Sequence, residues 1–154
     1  MMVMKAEKHV ARGEGCGADE GPWTRVCLSR SEEVVPLLDR VEAEMVEQGY
    51  PARACFEMRL VLEEAIVNGI KHGNGGDPTK RVRVRYRVAP EAVRADVEDE
   101  GPGFDRSEVP DPTAPENLER SCGRGLLLMR HYSTWLRYHG RGNRLSICKS
   151  HPSR

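Results

Sequence analysis

Between positions 81 and 88 the chain reads Arg-Val-Arg-Val-Arg-Tyr-Arg-Val, with arginine at every odd position and an apolar side chain at every even one. A period of two belongs to a β-strand, whose successive side chains point to opposite faces. A helix would scatter these four guanidinium groups around its axis; a strand gathers them on one face and leaves Val82, Val84, Tyr86 and Val88 on the other. After a turn at Ala89-Pro90-Glu91 the alternation resumes, with Val93, Ala95 and Val97 on one side and Arg94, Asp96 and Glu98 on the other. Paired as an antiparallel ladder, the two segments set Asp96 and Glu98 across from the arginine row. That row then reads as a solvated face, or alternatively as a surface for a partner. By the same parity Asp99 shares the side of Val93, Ala95 and Val97, so a carboxylate enters the apolar side of the sheet.

A one-faced sheet needs a covering layer, and the residues before it carry helical periodicity. A first helix is expected over residues 32–48, capped by Ser29 or Ser31, with Pro36 tolerated near its start and Gly49 as its stop. A second is expected over residues 52–72, ended by Gly73-Asn74-Gly75-Gly76-Asp77-Pro78. Within it Glu64, Asn68 and His72 recur at every fourth residue and form one polar stripe, flanked by Leu60, Leu62, Ile66, Val67 and Ile70. Such a stripe is costly to bury unless something bound there uses it. Glu63, adjacent in sequence, points about a quarter-turn away and reads as solvated or structural. A short strand is expected at residues 24–28, a helix at 125–132, and a closing hairpin at 134–139 and 144–149 around Gly140-Arg141-Gly142-Asn143, with Leu145 and Ile147 facing inward. The fold class is α+β: a two-layer sandwich with helices on one face of a mixed, mostly antiparallel sheet.

The 154 residues suit one domain, expected over 23–150, after a glycine-rich, charged tail over 1–22 that reads as flexible. Residues 101–122 hold four prolines and no periodicity, which is long for a connection in a domain of this size and marks a candidate lid. Lysine and arginine balance aspartate and glutamate at 24 each, which argues against duplex binding through bulk charge, and no direct nucleic-acid role is expected. The five cysteines form no CxxC pair and read as reduced thiols of a cytoplasmic protein. No apolar run suggests a signal peptide or a membrane span. There is no GxxxxGK[ST] loop and no HRD or DFG set, which excludes a P-loop ATPase and a eukaryotic-type kinase.

Three boxes in order carry a resemblance. They are Glu64-Ala65-Ile66-Val67-Asn68-Gly69-Ile70-Lys71-His72-Gly73, then Asp99-Glu100-Gly101-Pro102-Gly103-Phe104, then Glu116-Asn117-Leu118-Glu119-Arg120-Ser121 leading into Gly123-Arg124-Gly125-Leu126. Together they resemble the Bergerat nucleotide-binding fold of gyrase, heat-shock chaperone ATPases, histidine kinases and mismatch-repair ATPases, and within it the anti-sigma factor serine/threonine kinases. The resemblance spans residues 23–149 and implies ATP and Mg²⁺ as ligands, with a lid at about 104–124. It implies that Asn68 holds Mg²⁺, that Glu64 is the general base, and that Asp99 accepts from the adenine amine. His72, Gly101 and Gly103 belong to the same binding site. Gly123 and Gly125 would turn backbone amides toward phosphates, and Lys71 and Arg124 can add charge there.

The resemblance implies a sigma factor and an anti-sigma antagonist protein as partners, and a homodimer. Two other activities use the same residues: a regulatory module that switches a partner by lid closure without phosphotransfer, and a detached histidine-kinase catalytic domain. Taken singly, each box also has a local reading. Asn68 can bond within its helix, His72 can end it, the Asp99 segment can be a turn after a strand, and paired glycines before a helix are common.

Overall fold

A computed structural model of the chain describes residues 21–103 and 124–153. Most of the expected tail, the lid segment up to residue 123, and with it Gly123, lie outside the described residues. The arginine alternation forms β2 (Val82–Val88), which pairs antiparallel with β3 (Ala92–Glu98) and places the acidic pair across from the arginine row, Arg83 opposite Glu98 and Arg85 opposite Asp96. β1 (Thr24–Leu28) pairs with β2 on the other side. The closing hairpin of β4 (Trp135–His139) and β5 (Arg144–Ser150) joins through β5, giving the order β1-β2-β3-β5-β4. All of these pairings are antiparallel, so among the described residues the sheet is not mixed.

Three helices form the second layer. α1 (Val34–Glu47) and α2 (Ala52–Asn68) pack as a hairpin, and α3 (Arg124–Tyr132) lies against α2. Their inner faces meet Val26, Leu28, Val82, Val84, Tyr86, Val97 and Ile147 in one core. Each fully buried side chain of this kind contributes about 1.5–3 kcal/mol. Tyr86 buries its ring and donates its hydroxyl to Glu44 Oε1 at 2.8 Å, joining β2 to α1; burial, and next the Glu44 bond, pushes its phenol well above the ordinary range. Lys149, on the inner side of β5, is also buried, and its Nζ donates to Glu57 Oε2 and to the Tyr132 carbonyl, both at 2.7 Å. One cation thereby ties β5 to α2 and to the last turn of α3.

Two details depart from the expected helices. The cap expected of the Ser29 or Ser31 hydroxyl is not formed, and α1 takes no side-chain cap; a 3₁₀ turn (Ser31–Glu33) precedes it and ends on Glu33. Its carboxylate accepts from the Ser29 and Arg30 amides at 3.2 and 3.1 Å. The second helix stops being α-helical at Asn68 and closes with a π turn (Gly69–Gly73), in which the Asn74 amide donates to the Gly69 carbonyl at 2.8 Å. The two glycines explain the widening. A Cβ at Gly69 would press on Val82, and one at Gly73 would collide with the Asp99 carboxylate, so only bare backbone passes this close to the sheet. No helix among the described residues is long and apolar enough to cross a membrane.

Candidate functional site

The π turn, the end of β3, the start of α3 and the β4–β5 turn surround a cleft of about 440 Å³. Its apolar wall comes from Ala65, Val97, Leu126, Met129, Tyr138 and Leu145, and its polar groups come from Glu64, Asn68, His72, Asp99 and Asn143. Apolar walls with a few convergent polar groups are the usual make-up of a small-ligand site. The stripe read from the sequence therefore faces one space. Glu64 and Asn68 are half-buried there, while His72, displaced by the π turn, is exposed at its edge. Glu63 is exposed and outside the lining.

Asp99 is held from two directions. Its amide donates to the Asn143 carbonyl at 2.9 Å, and Asn143 Nδ2 donates back to the Asp99 carbonyl at 3.0 Å. One residue on, the Glu100 amide donates to Asn74 Oδ1 at 2.8 Å, and Asn74 itself is buried at the end of the π turn. The Asp99 carboxylate accepts from the Gly101 amide at 2.8 Å through Oδ1. Burial pushes its carboxyl above the ordinary aspartate range, opposed by that amide and by the nearby charge of Arg141. A carboxylate aimed into an apolar cleft with one amide bond retains acceptor capacity for a ligand donor.

The glycines act by close approach. Gly101 lies against the Gly73 carbonyl and Gly103, in the left-handed region at φ +77, against the Arg141 carbonyl, so a side chain at either would block the contact. Gly125, in the first turn of α3, lies against the Glu64 carboxylate, which an added Cβ would push aside. The sequence-derived site is thus brought together for Glu64, Asn68, His72, Asp99, Gly103 and Gly125, with Gly101 supporting Asp99 from just outside the lining. Lys71 and Arg124 are exposed and do not line the cleft.

Asn74, Asn143, Gly142 and Tyr138 belong to the site and carried no functional signal in the sequence. Gly73-Asn74 and Gly142-Asn143 read there only as turn residues. The available hint was that each of these asparagines follows a glycine at the end of an element, where an amide side chain can bond the backbone of a neighbouring segment.

The residues fit an adenine nucleotide. Asp99 offers an acceptor between apolar walls, and Gly125 brings the first turn of α3 to the same cleft, where backbone amides at a helix start favour anions. Asn68 brings a side-chain oxygen to the cleft, and no group of three or more acidic, histidine or cysteine residues among the described ones could hold a divalent ion alone. Mg²⁺ requires no more, since it keeps waters and substrate phosphate oxygens in its shell.

Comparison with known proteins agrees with this geometry. No curated protein matches the chain significantly. A family model, the histidine kinase-like ATPase domain, matches residues 27–149, from β1 through β5 and across every wall of the cleft. The matched residues include every residue that lines the cleft, and the chain belongs to the histidine kinase-like ATPase domain family.

Proposed function

We propose that the protein is an ATP-dependent serine/threonine kinase of the anti-sigma-factor type, a cytoplasmic regulator of transcription that phosphorylates an antagonist protein and binds a sigma factor. The observation that carries this reading is the placement of Glu64. Its carboxylate faces the cleft one helical turn from Asn68 and beside the start of α3, while Glu63 faces solvent.

Bound ATP and Mg²⁺ supply the transferable γ-phosphoryl group, ADP as leaving group, and neutralisation of charge as it moves. The chain's own residues do the rest. Asp99 accepts from the adenine amine and so selects adenine over guanine, Asn68 lends its side-chain oxygen to Mg²⁺, and Glu64 accepts the proton of the serine or threonine hydroxyl. Met129, Leu126 and Leu145 exclude water from the adenine side.

Incubation with γ-labelled ATP, Mg²⁺ and an antagonist-domain protein encoded beside this chain tests the reading. Acid-stable label on the antagonist's serine or threonine is expected. Acid-labile label would make the chain a histidine-kinase catalytic domain, and ATP binding without transfer would make it a nucleotide-gated regulatory module.

A further inference from the structure

The three helices and the cleft occupy one side of the sheet, and no described element covers the other. That open side carries Arg83, Arg85 and Arg87 from β2. β1, β3, β4 and β5 add Arg25, Arg94, Arg137 and Arg144. On the strands of this face only Asp96 and Glu98 oppose the seven arginines, so a chain of zero formal charge concentrates a large positive excess on one flat surface.

Among the described residues Asp96 and Glu98, with Glu100 3.9 Å from Arg83, pair with Arg83, Arg85 and Arg144 and take up part of that excess. Asp96 is buried and already accepts from Arg85, from Arg144 at 3.1 Å and from Ser146 at 2.5 Å. Glu98 pairs with Arg83 at 3.1 Å, yet the Arg83 side chain remains 59% exposed. The register also sets Arg25 directly opposite Arg85, and Arg87 directly opposite Arg94. Like charges in directly opposed cross-strand positions cost stability, so folding alone does not account for them. Two of the guanidinium groups are held over rings, Arg85 over Trp23 at 4.9 Å and Arg137 over Trp135 at 5.2 Å. A guanidinium ordered in this way loses less entropy when it takes a carboxylate in its planar fork.

We propose that this open sheet face is a docking surface for an acidic protein partner, distinct from the nucleotide cleft. Carboxylates on one side of an extended segment recur about every 7 Å, which is also the spacing of same-face arginines along a strand. Single-stranded nucleic acid fits less well, because it stacks bases on open aromatic faces. Trp23 is 9% exposed and lies under Arg85, and Trp135 lies under Arg137. A second copy of the chain docked face to face would set arginines against arginines.

The test uses the full chain, with poly-L-glutamate as the acidic probe, oligo-dT as the nucleic-acid probe and sedimentation for self-association. The expected result is salt-sensitive binding of poly-L-glutamate that falls at least tenfold in the double variant Arg25→Glu, Arg137→Glu, with ATP affinity unchanged. Arg53→Glu, which makes the same kind of charge reversal on an exposed helical site, should leave poly-L-glutamate binding as in the parent. Circular dichroism checks that the double variant folds; if it does not, the milder Arg25→Gln, Arg137→Gln pair replaces it, with a smaller loss expected. Equal poly-L-glutamate binding by parent and folded variant, or none by the parent, would overturn the proposal. So would tighter binding of oligo-dT, or self-association abolished by the same substitutions.

Discussion

Asp96 and Asp99 stand three positions apart, one near the end of β3 and one just beyond it, and odd spacing sends their side chains to opposite sides of the sheet. On the open side, burial alone would raise the Asp96 carboxyl, but hydrogen bonds from Ser146 and Arg85, with Arg144 beyond them, hold it below the ordinary aspartate range. On the helix-covered side, Asp99 has one amide bond and an apolar cleft, and burial carries its carboxyl upward. The same side chain is held by several donors in one region and lines an apolar cleft with one amide bond in the other. What separates them is how many donors the neighbouring strands supply. Ion-pair networks and binding sites both perturb carboxylates, and here the two shifts run in opposite directions.

The comparison bears first on the cleft, where the largest effect is expected. Glu64→Gln should keep ATP affinity within a few-fold while phosphotransfer falls by roughly 10²- to 10⁴-fold, because a general base acts on the nucleophile and not on the bound nucleotide. Glu63→Gln, exposed and outside the lining, should change neither. Calorimetry and a transfer assay on the two variants decide it, and a dead Glu63→Gln beside an active Glu64→Gln would show the helical phase of the site to be wrong. Asn68→Ala comes next: Mg²⁺-dependent ATP binding should be lost with the fold intact. Titrations with and without Mg²⁺ that give parental affinity in both would take Asn68 out of the site.

Exchanging the same atom in the two aspartates sharpens the contrast. Asp99→Asn presents an amine where the adenine amine must be accepted, and ATP affinity should fall by about tenfold to a hundredfold, the weight of a hydrogen bond to a charged group. Asp96→Asn should leave ATP affinity alone and instead lower stability by about 1–3 kcal/mol, since Arg85 and Arg144 lose the charge that holds them. Paired ATP titrations and denaturant melts separate the two, and the comparison breaks if both variants lose the same property.

Much of this was legible in the primary structure because it depends on period and parity. The two alternations predict which faces of β2 and β3 carry the charges, and the parity of β3 predicts the inward carboxylate of Asp99, without knowledge of any distant residue. The stripe of Glu64, Asn68 and His72 likewise follows from helical spacing. The features that were not legible join segments far apart in the chain. Nothing local in Gly142-Asn143 shows that Asn143 will clasp the Asp99 backbone 44 residues earlier. Nothing in Gly73-Asn74 shows that the amide will meet Glu100. The π turn is of the same kind, since its cause is the sheet and the Asp99 carboxylate pressing on two glycines. The turn before α1 has a nearer cause, the Glu33 carboxylate reaching back along its own turn to the Ser29 and Arg30 amides.

The smallest effect follows from the sign of the two shifts. Because the folded state lowers the Asp96 carboxyl, its contribution to stability is complete above the ordinary aspartate range, about pH 4, and is lost as pH falls through the lowered value. Asp99 runs the other way: its carboxyl is raised in the folded state, so the protonated form favours folding at low pH and that contribution is lost as pH rises through the raised value. At neutral pH the nucleotide-free protein therefore bears a cost at Asp99 that the neutral amide of Asp99→Asn removes, while still able to accept from the Gly101 amide. The variant that binds ATP worst should unfold at a slightly higher temperature than the parent at pH 7 without nucleotide, and the gain should vanish toward pH 4. Asp96→Asn should be destabilised at pH 7 and approach the parent below pH 4. Thermal melts across that range read both slopes, and a lower unfolding temperature for Asp99→Asn at pH 7 would mean that its carboxylate is a structural clamp like that of Asp96.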